Sequence, residues 1–458
     1  MINEIKKKEN LRYVILYTVV VALYQLVMKE YTGDTVSFFA RAIDHLSISS
    51  LIETLVSRYM TWTSRILIEI PLFILAHGMH MVLFGILNVL VHIMLLLALM
   101  KLTDYKHNRL LVCLLIMYPV ALFCGSGWMT AYITYFWPLS LSIVSMVSLK
   151  KMYEQEKIHP LEAVFYVLCQ IFGTDLEVSA VFYTCILATF AIMMVWGKKF
   201  ECRSVIMTVI HFIVCAGNLT FALTCPGNEA RKISNIDFWF PSYTSFTLVD
   251  KMVLGINTAV SYLIGKDFYW ILLCLLLVVV LIGGVKKEKH SVVITAIIPL
   301  FATCVISFLR PVVENYYPDL VALFNDFETR KYVDSTNYNS PSVYIPFIIY
   351  SLIMIMVVLT VLELFEDVKQ SFFIAAVLVS GFLSRLTLGF SPTVFSSGLR
   401  TFVFMDFAMI YAVVKIYDSY KANNVNKRVF AYSKCVAIII EAFAVLANIV
   451  AICSVYYY

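Results

Sequence analysis

Residues 14–38 read VILYTVVVALYQLVMKEYTGDTVSF. The first part, taken over 12–28, is an apolar run long enough to cross the hydrocarbon layer as a helix, which takes about 17–25 residues. The second part stops that run with Thr32, Gly33, Asp34 and Thr35, good turn chemistry that sets a carboxylate at the mouth of the helix. The stretch therefore predicts a membrane helix that opens onto a polar loop.

Similar runs recur along the chain, over 12–28, 80–100, 110–124, 135–149, 161–175, 178–196, 204–222, 269–285, 291–309, 343–363, 371–388, 401–415 and 433–452. Composition agrees. Of 458 residues, 61% are hydrophobic and 14% charged, against about 25% charged in soluble domains. The expected fold is all-α, a single integral membrane domain over 1–458 with about 13 spans. A transmembrane barrel is excluded by the absence of short alternating strands. The net charge of +5 is too slight for a nucleic-acid partner, and no basic stripe interleaves with aromatics. The basic stretch MINEIKKKENLRY precedes no small-residue cleavage site, so 12–28 is expected as a retained span and not a signal peptide. The 11 cysteines include no CxxC pair and are expected to serve as small apolar packing residues. A disulfide between Cys124 and Cys225 stays open.

Two segments are ambiguous. Residues 62–78 hold Arg65, Glu69 and Pro71 within an apolar stretch, and 244–264 resembles it. Each is either a span or an interfacial helix.

Basic residues orient the chain. The turns KLTDYKHNR (101–109), KKMYEQEK (150–157), WGKKFECR (196–203), VKKEKH (285–290) and KIYDSYKANNVNKR (415–428) fall on one side with the N-terminal lysines. Short Lys- and Arg-rich loops stay cytoplasmic, so the N-terminus is expected inside and the C-terminal tyrosines outside. The long loops 29–79, 223–268 and 310–342 then lie outside, with short turns near 125–134 and 389–400. Long structured loops are where sites concentrate.

The first outer loop carries FFARAIDHLSISSLIETLVSRY (38–59), with apolar positions at near-helical spacing, and predicts an interfacial amphipathic helix. Asp34 ahead of it is either a cap or a working carboxylate. CGSGWMTAYITYFWPLS (124–140) gathers Trp128, Tyr132 and further aromatics, either an interfacial belt or a sugar-stacking surface. IFGTDLEVSA (171–180) sets Asp175 and Glu177 in a short turn between apolar runs, where the alternatives are a polar interfacial turn and a cavity lining. TCPGNEARK (224–232) is a turn with Asn228 and Arg231. GFSPTVFSSGLRTF (389–402) brings Ser397 and other hydroxyl residues ahead of Arg400. An outer arginine there either snorkels or binds phosphate, helped by hydroxyls and backbone amides. Arg65, Arg231, Arg310, Arg385 and Arg400 all fall near expected outer span ends, which suits an anionic headgroup on a lipid tail. His77, His80 and His92 are expected to pack or cap, not to bind metal.

The order of pieces GDT, WTSRILIE, GWMTAYITYFWPL, PGNEARK and SPTVFSSGLRT resembles the GT-C class of membrane glycosyltransferases, and more closely a Gram-positive bacterial polytopic family of that architecture. The resemblance covers nearly the whole chain. It implies a polyprenyl-phosphate-linked sugar as donor, a cell-envelope glycan or glycolipid as acceptor, and a site on the outer face of a bacterial plasma membrane. It further implies Asp34 as catalytic base and Arg65 and Arg400 as phosphate contacts. Such families often carry two adjacent acids after the glycine, whereas Thr35 follows Asp34 here. That leaves Asp34 to act alone or with Asp44, Asp175 or Glu177, and no metal site is assigned; a divalent ion stays open. No GxxxxGK or GxGxxG element points to a nucleotide. The rival reading is a transporter or flippase of lipid-linked saccharides. It needs a polar path across the membrane, whereas 269–285, 343–361 and 433–452 are almost purely apolar. A polysaccharide polymerase or ligase, still a glycosyl transfer, would be expected to rest on outer Arg and His more than on an early Asp.

Overall fold

A computed structural model describes residues 8–282, 290–319, 321–322, 324, 339–423 and 427–454. The described residues are helical and contain no strand. Nine of their helices are long and apolar enough to cross a membrane, or ten if the pair Val292–Phe308 and Arg310–Tyr316, bent by 74°, is one span. The chain is an all-α polytopic membrane protein. Most of the basic turn 285–290, about half of the expected loop 310–342 and the C-terminal tyrosines lie outside the described residues.

The expected spans shift in instructive ways. Segment 62–78 becomes helix Ile66–Ala76, only 11 residues. At 1.5 Å per residue it covers about half of a bilayer core. Segment 244–264 becomes helix Leu248–Lys266, which is long enough to span. The stretch 223–268, expected as a loop, thus holds that helix and Pro226–Trp239. Segment 161–175 corresponds to helix Pro160–Gly173, and helix Phe268–Ile282 covers the described part of segment 269–285. Segment 401–415 extends to Val403–Asn423, which carries Asp406, Lys415 and Asp418 and is buried along most of its length. The amphipathic helix starts later than expected, at Ile48, because Ser47 and Ser50 form a reciprocal capping box there.

The chain divides into two units. The first comprises 1–231, 398–403 and 426–458. Its central helix, Trp128–Tyr153, is buried almost end to end. Serines allow this: Ser140, Ser142, Ser145 and Ser148 are all fully buried. Small residues let helix backbones approach where no hydrophobic force separates helix from lipid. A Cβ added to Gly173 would meet Ser142 Oγ at 2.4 Å, and Ser142 Oγ lies 3.0 Å from Ser179 Oγ. Deeper in, His211 joins four helices: its ring nitrogens reach Ser148 Oγ at 3.0 Å and Tyr183 OH at 3.1 Å, and Gln170 Nε2 donates to its carbonyl at 2.8 Å. The imidazole, hydroxyls and amide of His211, Ser148, Tyr183 and Gln170 thus satisfy one another, which is what a low-dielectric interior demands.

The basic turns meet at one end of these helices. Lys101 pairs with Glu154 at 3.5 Å, Lys150 with Asp104, Lys151 with Glu162, and Lys199 donates to the Tyr153 carbonyl at 2.6 Å. The turns around 28–35, 62–65, 124–128, 173–177 and 225–231 cap the other ends of the same helices. The first unit is therefore polarised as the charge pattern predicts.

The second unit comprises 232–397 and 404–425. Glycines bring its helices together: a Cβ on Gly255 would meet the Leu386 carbonyl at 2.5 Å, and one on Gly389 the Lys251 carbonyl at 2.2 Å. Arg385, expected at an outer span end, is buried here with Tyr262 as an electrostatic neighbour. Asp267 and Asp406 share a side-chain hydrogen bond in the same interior.

Candidate functional site

The end of the first unit opposite the basic turns gathers charge from five separated stretches of chain. Gly33 begins it. At φ +84° it holds a backbone conformation that side chains disfavour, and an added Cβ would stand 2.4 Å from the Gly127 amide. The chain then enters a π-helical turn, Thr35–Phe39, with Asp34 at its head. The Asp34 side chain makes no capping bond, so the cap reading is not realised. The residue is exposed on its open side. Partial burial nonetheless pushes its carboxyl up from the ordinary range, and Arg400 and Arg58 pull it back. A carboxylate raised moderately while remaining near cations is a stronger base that still ionises.

Arg58 stands on helix Ile48–Thr61. Its Nε donates to both oxygens of Glu69, at 3.1 and 3.0 Å, and its guanidinium lies 4.7 Å from the Phe38 ring centroid. Arg65 precedes helix Ile66–Ala76 and donates from Nε to Glu177 Oε2 at 2.8 Å. Arg231, on helix Pro226–Trp239, reaches the other oxygen of Glu177 at 3.6 Å and Thr63 Oγ1 at 3.5 Å. Burial, then the neighbouring Arg65, pull the Arg231 guanidinium below its ordinary pKa, the signature of crowded cations. Glu177 is thus a shared counter-ion that spaces two arginines; each of the three side chains keeps between 22% and 29% of its surface open.

Arg400 is different. Its guanidinium lies 5.5 Å from the Tyr135 ring centroid and hydrogen-bonds the phenol, and Arg65 and Arg231 are electrostatic neighbours of the same hydroxyl. A Cβ on Gly125 would sit 3.4 Å from its Nη1. Among the described residues it forms no ion pair within 4 Å, and its buried Nε has no acceptor. Ser126 Oγ and Trp128 Nε1, on either side of Gly127, are likewise buried without a partner. An orphaned guanidinium donor calls for an acceptor-rich ligand.

The structure therefore brings together Asp34, Arg65, Arg231, Arg400 and Glu177, and adds Arg58 and Tyr135. Tyr135 stands in the same aromatic stretch as Trp128 and Tyr132. Trp128 and Tyr132 are each only 1% exposed. Tyr132 packs against Phe84, Phe123, Phe136 and His92 and offers no sugar-stacking face. A π-helical turn over Tyr132–Phe136 alters the facing of the helix at this point, and Tyr135 is the residue left half-buried. Helical spacing alone gives no warning of such a turn.

Three other expected site residues hold the frame. Asp175 accepts from the Ile68 amide at 3.1 Å and caps helix Ile66–Ala76 from a distance. Burial pushes its carboxyl up to about 7 despite that bond. Asn228 donates to Ser64 Oγ at 3.1 Å and to the Ala222 carbonyl at 2.8 Å, locking the Pro-Gly turn. Gly227 makes the lock possible, since a Cβ there would meet the Trp62 amide at 2.3 Å. Ser397 belongs to the second unit, where its hydroxyl donates to Thr393 Oγ1 at 2.9 Å. Asp44 is exposed on the loop before Ser47. Cys124 and Cys225 are free thiols, and Cys225 Sγ donates to the Tyr59 carbonyl, so no disulfide joins them. Among the described residues no cluster of three or more His, Cys, Asp or Glu side chains is disposed to hold a metal ion.

Fold and site define a polytopic helical membrane protein with one exposed carboxylate beside a cluster of arginines at one pole of its first unit. Comparison with family models, with curated proteins and with solved structures returns no match.

Proposed function

We propose that the chain is an inverting glycosyltransferase of the GT-C type, which moves a sugar from a polyprenyl-phosphate donor to a cell-envelope glycan or glycolipid on the outer face of a bacterial plasma membrane. One observation carries the reading. Asp34 shares its surroundings with Arg58 and Arg400, and Arg400 shares Tyr135 with Arg65 and Arg231. A single base beside a cluster of cations is what this transfer needs.

Asp34 accepts the proton of the acceptor hydroxyl as its oxygen bonds to the anomeric carbon. The bond from that carbon to the donor phosphate breaks, and the lipid phosphate leaves with the electron pair. Already ionised, the leaving group needs no acid; it needs donors held in place as its charge grows. Arg400 and Tyr135 offer them, with Arg65 and Arg231 held apart by Glu177. Attack opposite the leaving phosphate inverts the anomeric centre.

The test uses the purified full chain in lipid nanodiscs and a panel of polyprenyl-phosphate sugars. Asp34→Asn is expected to lower transfer about 10³-fold, mid-range for loss of a general base, while donor still binds. Full activity in that variant would refute the base assignment. Donor flipped across vesicles without any sugar transferred would favour the flippase.

A further inference from the structure

The loop that carries Asp34 is held by a device that the reaction scheme does not use. Glu30 lies between the first span and Gly33 and is only 8% exposed. Its Oε1 accepts from the Trp128 amide at 3.0 Å and its Oε2 from the Met129 amide at 2.8 Å. These are the first amides of the central helix, groups with no partner inside a helix, and a carboxylate there also meets the positive end of the helix dipole. The Thr35 hydroxyl bonds to Glu30 and stands 2.7 Å from Thr130 Oγ1. The fit leaves no room. A Cβ on Gly127, at φ +91°, would stand 2.7 Å from Thr35 Oγ1 and 2.8 Å from Glu30 Oε1.

Glu30 and Thr35 bracket Asp34, and Trp128 and Thr130 lie one to two turns before Tyr135 on the same helix. We infer that Glu30, with Thr35, is a positioning residue that fixes the distance between the Asp34 carboxylate and the Tyr135–Arg400 anion pole. The inference rests on the glycosyltransferase reading for its chemistry, but the clamp itself does not. A base must sit within about 3 Å of the proton it takes, and a displacement of about 1 Å costs on the order of 100-fold in rate. Two amide bonds and a hydroxyl chain across a glycine–glycine contact hold a loop to that tolerance. Burial also raises the Glu30 carboxyl to about 7, against the pull of those donors.

The experiment compares wild type, Glu30→Ala, Glu30→Gln and Thr35→Val in nanodiscs, with rates expressed per folded molecule from gel-filtration peak area. Glu30→Ala is expected to lower kcat about 10- to 100-fold and leave the donor KM within about twofold, because the base moves while the cations stay. Glu30→Gln keeps one acceptor oxygen and is expected to recover about half of that loss on a logarithmic scale. Thr35→Val is expected to fall between Gln and wild type. An unchanged kcat per folded molecule in Glu30→Ala, with only the melting temperature lowered, overturns the inference. If the wild type transfers no sugar from any donor, the glycosyltransferase reading fails instead. Hydrogen exchange then decides on the clamp: faster exchange in Glu30→Ala confined to 31–37 and 127–131 supports it, and unchanged or chain-wide exchange refutes it.

Discussion

At the scale of single residues, the site is a set of carboxylates given different work by their surroundings. Glu69 and Glu177 are bound to arginines, Glu30 and Asp175 accept from backbone amides at helix starts, and Asp34 is the most exposed of the five. The two amide-bound acids have a thermodynamic consequence. Glu30 rises from 4.5 to about 7, and Asp175 from 3.8 to about 7, both chiefly through burial. The folded chain therefore holds protons that the unfolded chain has lost. Stability falls as pH climbs from about 4 to about 7, since stability rises with pH only where the unfolded state binds more protons. Thermal unfolding in detergent should show a declining midpoint over that window, flattened in the double variant Glu30→Gln, Asp175→Asn. A double variant with the wild-type slope would place the titration elsewhere.

At the scale of elements, small residues decide how the helices of the first unit meet. Gly33, Gly127, Gly173 and Gly227 each sit where a Cβ would penetrate a neighbouring backbone or side chain. Gly33 combines a 2.4 Å backbone contact with a positive φ, so Gly33→Ala is expected to cost about 2–4 kcal/mol, from a strained backbone and an overpacked contact together. Retention of the wild-type midpoint in Gly33→Ala would show that the 31–37 turn can move aside freely. The sequence pattern announced the glycine and the turn but not the contact. Gly33 and Gly127 are 94 residues apart, and nothing local to either position encodes their meeting. The late start of helix Ile48–Thr61 was legible in principle, because Ser47 with Ser50 is a local capping signal. The π-turn that selects Tyr135 over Tyr132 was not.

At the scale of the whole molecule, the arginines expected as one outer set divide by unit. Arg65, Arg231 and Arg400 belong to the first, and Arg310 and Arg385 to the second. Arg310 opens the short helix Arg310–Tyr316. Arg400→Ala is therefore expected to raise the donor KM by about 10- to 100-fold, the cost of a charge-assisted bond in a partly buried site, and Arg310→Ala by less than about twofold, as for an ordinary surface change. Steady-state kinetics on the nanodisc-embedded chain measures both, and equal small effects would remove Arg400 from the phosphate contacts.

The membrane class, most of the helices and the polarity of the first unit follow from the chain alone. Run length, apolar content and the placement of lysines are local and additive, so they survive whatever the packing turns out to be. Which carboxylate stays open, which arginines gather beside it and which tyrosine meets them were decided by tertiary structure. Those choices depend on contacts of a few ångströms between helices far apart in the chain, where one extra residue in a turn redirects a side chain.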